Sequence, residues 1–204
     1  MIDDRESILS RVRGALAPLR QRAALPDFDT ELSVMRKVLA NRDALAVFAE
    51  RVVRVNGLVL TDIAALAAHL RAGGWLRGYC DPGLWPKFAP HFGDDFKVQQ
   101  TFDRTRIDDC AFGVTRAVGG IAETGTIILK DTSTSARLAA LAPWVHVAVF
   151  SRAELFSDMT QAAAALGDDP HVIWVTGPSK TADVEGILIE GVHGPGVQIA
   201  LVLD

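Results

Sequence analysis

Short apolar runs alternate with helical stretches along the chain from about residue 50 to its C-terminus. Val145–Phe150 is a predicted strand, and Val197–Leu203 is rich in β-branched residues and suits a strand that is buried on both faces. Helical spacing of apolar residues follows in Arg152–Leu166. Such alternation is typical of parallel strands joined by crossover helices, so the sequence predicts an α/β domain with a mostly parallel sheet.

Residue composition and end signals predict the other strands, helices and loops of this domain. Thr61 and Asp62 are suited to cap a helix that stops at Gly73 and Gly74. The other predicted strands are Arg51–Val55, Leu58–Leu60, Trp75–Cys80, Thr126–Leu129 and His171–Thr176, the last also expected to be buried on both faces, and Ser135–Leu141 is a predicted helix. Asp81–Asp95 combines prolines and glycines with aromatic residues that favour burial, which predicts an ordered loop.

The N-terminal part of the chain has a different pattern. Asp3–Leu19 carries apolar residues at helical spacing and acidic residues at its start, which predicts an amphipathic helix that packs on its own domain or docks against a partner helix. Gln21–Thr30 contains a proline and is expected to be a linker, followed by a helical stretch over Thr30–Glu50. We therefore expect a helical arm and linker over residues 1–30 and a single α/β domain over residues 31–204.

Charge and hydropathy exclude several classes of partner. The formal net charge is -4 and the pI is about 5.7, so the sequence predicts no broad positive surface for nucleic acid or an anionic membrane. No apolar run reaches the roughly 18 to 20 residues that a membrane-spanning helix needs. The acidic N-terminus lacks the pattern of a secretory signal, and we expect a cytoplasmic protein.

The cysteine content bears on redox chemistry. Cys80 and Cys110 are far apart, and neither belongs to a Cys-x-x-Cys pair. Iron–sulfur clusters and cysteine-rich zinc sites would therefore lack their usual ligands, and the sequence contains no dinucleotide-binding glycine fingerprint. We expect no metal and no redox cofactor in this chain.

The first candidate functional loop, Val118–Thr126, places three glycines around one carboxylate. Backbone N–H groups and a carboxylate in such a loop can face one small ligand. The candidate residues are Gly120, Glu123, Thr124, Gly125 and Thr126. A tight turn between buried elements is an equally good interpretation, and a P-loop is rejected because Thr126 stands where that motif requires lysine.

The second candidate loop, Thr176–Glu185, directly follows a predicted strand, at the position where ligands bind in open α/β sheets. Hydroxyl groups, an ammonium and free N–H groups could form an anion site there. The candidate residues are Gly177, Ser179, Lys180, Thr181 and Asp183. The alternative is that Ser179 or Thr181 caps a helical turn, and the two interpretations are compatible.

Two histidines are further candidates. His146 lies inside a predicted strand and His193 in a glycine-rich turn. With Glu123 they could approach one point and bind a metal, although no ligand spacing requires it. A hydrogen-bonded core residue is the alternative for His146, and His193 is retained as a candidate ligand contact.

Three motifs together resemble one family. Ala122–Thr126, Gly177–Glu185 and Gly191–Pro195 occur in the order found in the lactate utilization protein C family, also described as LUD-domain proteins, and the similarity spans roughly Ala44 to the C-terminus. Val184 departs from the isoleucine usual in the family. The resemblance implies the fold of the sugar-phosphate isomerase and CoA-transferase group, a three-layer arrangement with a mostly parallel, twisted sheet flanked by helices.

The resemblance also implies a function. Family members act with two iron–sulfur partner proteins that oxidise L-lactate to pyruvate in the cytoplasm. Because this chain lacks redox ligands, we expect a non-redox supporting subunit whose partners carry the clusters, with a small carboxylate or phosphate as its own ligand. Two alternatives are CoA or acyl transfer, with Glu123 as the nucleophile by analogy with the Glu-Asn-Gly turn of related transferases, and simple binding of a small anion.

Overall fold

The computed structural model describes residues 4–18, 41–131, 133–134, 136–167, 171–183 and 185–204. The chain divides into two compact units, residues 1–36 and 37–204. The first unit contains helix α1 (Asp4–Leu16), with Asp4 and Glu6 in its first turn, and this confirms the predicted N-terminal helix. The predicted linker Gln21–Thr30 lies outside the described residues.

The second unit has the following elements in its described residues. The strands are β1 (Leu58–Leu60), β2 (Arg77–Cys80), β3 (Lys97–Gln99), β4 (Phe112–Arg116), β5 (Gly119–Ile121), β6 (Thr126–Lys130), β7 (Val145–Ser151), β8 (Leu155–Phe156), β9 (Val172–Val175), β10 (Lys180–Ala182), β11 (Leu188–Glu190) and β12 (Val197–Leu203). The helices are α2 (Ala44–Arg54), α3 (Ile63–Ala72), α4 (Trp85–Phe88), α5 (Arg137–Leu141) and α6 (Met159–Leu166).

Six strands form the central sheet in the order β1-β12-β7-β4-β2-β3. Every neighbouring pair in this sheet is parallel. The C-terminal strand β12 lies between β1 and β7, and its seven residues pair with β7 from Val197–Val145 to Leu203–Ser151. The predicted α/β class with a mostly parallel sheet flanked by helices is therefore confirmed.

Alternate residues of the central strands enter two different cores. On β7, Val147 and Val149 pack with α3 and with the aromatic side chains after β2. Ala148 and Phe150 point to the opposite face, where they pack with α2 and the second sheet. This alternation is the expected consequence of the two-residue period of a strand covered on both faces.

The aromatic loop after β2 is ordered, as predicted for Asp81–Asp95. Phe88 is fully buried and Phe92 is almost so, and their rings are in contact. The loop contains the short helix α4. The predicted stop at Gly73 and Gly74 is also confirmed, since α3 ends at Ala72 and the Asp62 carboxylate accepts a hydrogen bond from the N–H of Ala65.

A second sheet of four strands has the order β8-β5-β6-β9. β9 pairs antiparallel with β6, and the side chains of β9 are half-buried or exposed. The prediction that His171–Thr176 is buried on both faces was therefore wrong, because this strand covers the central sheet instead of joining it. β10 and β11 form a separate antiparallel hairpin.

Two other boundaries differ from the predictions. Arg51–Val55 was predicted as a strand but forms the end of helix α2, which Asp43 caps by accepting a hydrogen bond from the N–H of Ala46. The helix predicted over Arg152–Leu166 begins only at Met159, because Asp158 caps it and β8 precedes it. None of the helices in the described residues is long and apolar enough to cross a membrane.

Candidate functional site

The two candidate glycine loops lie side by side. Residues 127 and 175 are register partners on β6 and β9, so Thr126 and Thr176 stand next to each other at the strand ends. Their hydroxyl oxygens are 2.8 Å apart, and the hydroxyl oxygen of Thr124 is 2.7 Å from that of Thr126. The structure thus brings together the first and second motifs, which are separated by about fifty residues in the sequence.

Gly125 and Gly177 pack against the C-terminal end of α2. Both have positive φ angles, 71° and 77°, which side chains rarely tolerate. A Cβ atom on Gly125 would lie 2.7 Å from the amide nitrogen of Val52, and one on Gly177 would collide with the carbonyl oxygen of Val55. Close packing on α2 therefore requires glycine at both positions.

Lys180, Thr181 and Asp183 lie in the β10–β11 hairpin and its turn. The ammonium of Lys180 donates to the carbonyl oxygen of Val55 at 3.0 Å and pairs with Glu190 at 3.3 Å. The carboxylate of Asp183 accepts hydrogen bonds from the N–H groups of Glu185 and Ile187, which closes the turn. Because this segment is a hairpin, the suggested helix cap at Ser179 or Thr181 was wrong.

Glu123 and Gly120 have local structural contacts as well. The Glu123 carboxylate accepts a hydrogen bond from the N–H of Met159 at 3.3 Å, at the start of α6. Gly120 lies in β5, where a Cβ atom would come within 2.8 Å of the Phe48 ring. Neither residue lines the cleft described next.

A cleft of about 370 Å³ lies between the second and third motifs. The N–H of Ser179 donates to the carbonyl of Pro195 at 2.8 Å, and the N–H of Gly191 donates to the carbonyl of Ser179 at 2.9 Å, which ties the two segments together. The lining residues with polar side chains are Thr176, Ser179, His193 and Gln198. Among the described residues, neither a lysine nor an arginine lines the cleft, so the lining suits a neutral ligand or a single carboxylate.

The position of this cleft differs from the prediction. Gln198 is the second residue of β12, and the N–H of Val197 donates to the carbonyl of Trp144, just before β7. The cleft therefore lies beside the amino ends of the central strands. The expectation that the second loop follows the carboxyl end of a parallel strand was wrong, since β9 belongs to the antiparallel sheet.

Below the cleft, three buried polar side chains form a chain of hydrogen bonds across three adjacent strands. His146 Nδ1 is 2.9 Å from Gln198 Oε1, and His146 Nε2 is 2.9 Å from the hydroxyl oxygen of Thr115. All three residues are almost completely inaccessible to solvent. Burial lowers the pKa of His146 to about 4, and the hydrogen bond with Gln198 opposes this shift.

The contacts of these three hydrogen-bonded side chains show which ring nitrogen of His146 carries the proton. The amide nitrogen of Gln198 faces the carbonyl oxygens of His146 and Ile199 at 3.5 and 3.4 Å, so its oxygen faces Nδ1, which donates. The ring is neutral, so Nε2 accepts from Thr115. These two contacts of the Gln198 nitrogen are at the long end of hydrogen-bond distances.

The candidate metal ligands do not come together. His146 is buried and hydrogen-bonded, as in the core interpretation of the sequence, while His193 is on the surface of the cleft. Within the described ranges, no group of three or more His, Cys, Asp or Glu side chains has the arrangement of a metal site. Burial raises the pKa of Cys80 to about 12 and also raises that of Cys110.

Comparison with known proteins gives a family match. The model of the LUD domain family matches residues 64–203, a range that includes every residue lining the cleft. Lactate utilization protein C of Oceanobacillus iheyensis is 39% identical over 92 residues, 41% of this chain and 40% of that protein. Lactate utilization protein C of Geobacillus sp. (strain WCH70) is 34% identical over 129 residues, 59% of this chain and 49% of that protein. The chain thus aligns with less than half of these relatives' length.

One solved structure supports the fold. A DUF162 family protein from Deinococcus radiodurans superposes with a TM-score of 0.57 at 22% sequence identity. The superposition covers 79% of this chain and 96% of that protein. At this level of identity, the similarity extends to the arrangement of helices and strands.

Proposed function

The chain belongs to the LUD domain family, and from this membership we propose that it is a non-redox supporting subunit of a cytoplasmic iron–sulfur system that oxidises L-lactate to pyruvate. The observation that carries the proposal is the family match across residues 64–203, which span the whole cleft. The relatives named lactate utilization protein C support the link to lactate.

The need for an electron acceptor explains why we assign the redox step to partner proteins and a non-redox role to this chain. Oxidation of lactate to pyruvate releases two electrons, which need an acceptor. An iron–sulfur cluster is held by several cysteine thiolates, whereas Cys80 and Cys110 are the two cysteines of this sequence and are buried in different hydrophobic clusters. The clusters that accept electrons are therefore assigned to the iron–sulfur partner proteins. Affinity capture of the tagged chain from lysate of lactate-grown source cells tests this assignment, because iron-containing partners should be recovered with it.

Within this proposal, the cleft is the site that binds the small ligand. The amide of Gln198 and the hydroxyl of Ser179 offer hydrogen bonds to an oxygen of a small monocarboxylate such as lactate or pyruvate. Thr176 in the lining is in turn hydrogen-bonded to Thr126, and Thr126 to Thr124, outside the cleft. In the part of the chain that the structure describes, no lysine or arginine lines the cleft, which disfavours a dianionic phosphate there.

Calorimetric titration with L-lactate and with pyruvate tests the cleft. We expect Ser179→Ala and Gln198→Leu to weaken binding at least ~10-fold, the effect of losing about one good hydrogen bond. Gln161→Leu, which changes an exposed glutamine on α6, is the matched control and should bind like the wild type. Unchanged affinity in both cleft variants would reject the cleft as the ligand site, whereas failure to capture iron-containing partners would reject the subunit role.

A further inference from the structure

A second cavity, separate from the cleft, contains a pair of like charges at its rim. Arg77 on β2 and Lys97 on β3 are register partners on adjacent parallel strands. Both side chains are exposed and carry positive charge at neutral pH. Like charges opposite each other on neighbouring strands repel, and an anion between them relieves that repulsion. The ammonium of Lys97 also donates to the carbonyl oxygen of Asp94 at 3.1 Å.

A third cation faces the same space. The cavity has a volume of about 350 Å³, and its lining includes Arg77, Lys97, Arg106, Gln99, Asp109 and Cys110. Arg106 contacts the carboxylate of Asp109 through Nε at 2.7 Å and through Nη2 at 2.5 Å. Three cationic side chains against one carboxylate leave the cavity with a net positive charge.

The floor of the cavity adds no negative charge. Gln99 donates through its amide nitrogen to Cys110 Sγ at 2.9 Å, and burial raises the pKa of Cys110, so the thiol stays neutral. At Gly78 a Cβ atom would collide with the carbonyl oxygen of Phe112, so this part of the floor is main chain. The cavity therefore combines a neutral floor with a cationic rim.

We propose that this cavity binds the dianionic phosphate group of a small molecule or of free phosphate. Arginine forks form paired hydrogen bonds with phosphate oxygens, and Arg77 and Lys97 approach from one side while Arg106 approaches from the segment before β4. The bound anion relieves the repulsion between Arg77 and Lys97. This site is independent of the family-based function and of the carboxylate cleft.

Titration calorimetry at low ionic strength and pH 8, with inorganic phosphate and separately with glycerol 3-phosphate, tests the proposal. We expect saturable one-to-one binding that Arg77→Gln and Lys97→Gln each weaken at least ~10-fold. Arg54→Gln, an exposed arginine on α2, removes the same charge elsewhere and should leave binding unchanged. Gln198→Leu, which changes the cleft and its contact with His146 but not the lining of this cavity, should also leave phosphate binding unchanged.

Two different results would overturn the proposed phosphate site. No saturable binding of either probe by the wild type would overturn the proposal. Equal weakening by Arg77→Gln, Lys97→Gln and Arg54→Gln would overturn it as well, because that result indicates general charge attraction. Binding of both probes supports recognition of the phosphate group itself, and binding of glycerol 3-phosphate alone supports a phosphate monoester as the ligand.

Discussion

His146 Nδ1 donates a hydrogen bond to Gln198 Oε1 at 2.9 Å, although the two residues are 52 positions apart in the sequence. Their strands, β7 and β12, are adjacent in the central sheet, and the two residues are register partners. Gln198 lines the cleft and His146 lies below it. The buried histidine therefore fixes the orientation of the Gln198 amide, which belongs to the lining of the cleft.

The first prediction concerns the stability of this buried pair against pH. In the folded protein the pKa of His146 is about 4, below its ordinary value of 6.5, so the unfolded chain binds the proton more readily between these values. Stability due to the neutral ring is complete above pH 6.5 and is lost as the pH falls to 4. We expect His146 to account for roughly 3 kcal/mol of lost unfolding free energy between pH 7 and pH 4.

Urea unfolding of the wild type and His146→Gln at several pH values measures this contribution. The variant should be less stable at pH 7, and its stability should fall less steeply toward pH 4. His91→Gln changes an exposed histidine and should retain the wild-type slope. Identical slopes for wild type and His146→Gln would show that the buried ring does not resist protonation.

The second prediction separates backbone strain from close packing at Gly125. Gly125 and Gly74 both have φ of 71°, but a Cβ atom would contact the backbone of α2 only at Gly125. We expect Gly74→Ala to cost about 1 kcal/mol of unfolding free energy from strain alone. Gly125→Ala should cost about 2 kcal/mol more because α2 must move. Equal losses in urea unfolding would contradict the close approach of this loop to α2.

The third prediction concerns the role of Glu123. The Glu123 carboxylate accepts a hydrogen bond from the N–H of Met159 in the first turn of α6. Because Glu123→Gln retains an acceptor oxygen, it should change the free energy of unfolding by less than about 0.5 kcal/mol. Glu123→Ala removes the acceptor and should cost roughly 1 kcal/mol. We expect no exchange of acyl groups between acetyl-CoA and labelled acetate by wild type or variant. Exchange that disappears in Glu123→Gln would instead support the transferase alternative.

Several elements of the fold were predictable from local sequence alone. Strand β12 has the predicted bounds Val197–Leu203, and the helix capped by Asp62 stops before Gly73 as expected. These elements combine a clear hydrophobic pattern with end signals that act over a few residues. Where the hydrophobic pattern and the end signals agreed, the local sequence was sufficient to predict the bounds of the element.

Other elements depended on packing that the sequence does not display. The valines in Arg51–Val55 favour a strand, but Val52 is buried among Val47 and Phe48 on one face of α2. Tertiary packing outweighed the modest preference of β-branched residues for strands. Likewise, the apolar pattern of His171–Thr176 identified a strand without indicating which sheet it would join.

The candidate site was only partly predictable for a related reason. Ser179 and His193 were identified because they lie in motifs, and the cleft brings them together. Gln198 was not identified, although a polar residue inside an apolar strand was a visible signal. Its importance depends on its pairing with His146, and strand order and register over such a distance are set by the whole sheet.

The proposed supporting role is tested most directly by L-lactate-dependent dye reduction. The assay compares the purified chain alone with the assembly captured from lysate of lactate-grown source cells. We expect no reduction by the chain alone, and reduction by the captured assembly together with iron. Lactate-dependent reduction by the purified chain, free of other proteins, would contradict the non-redox role, and an inactive assembly without iron would contradict the link to an iron–sulfur system.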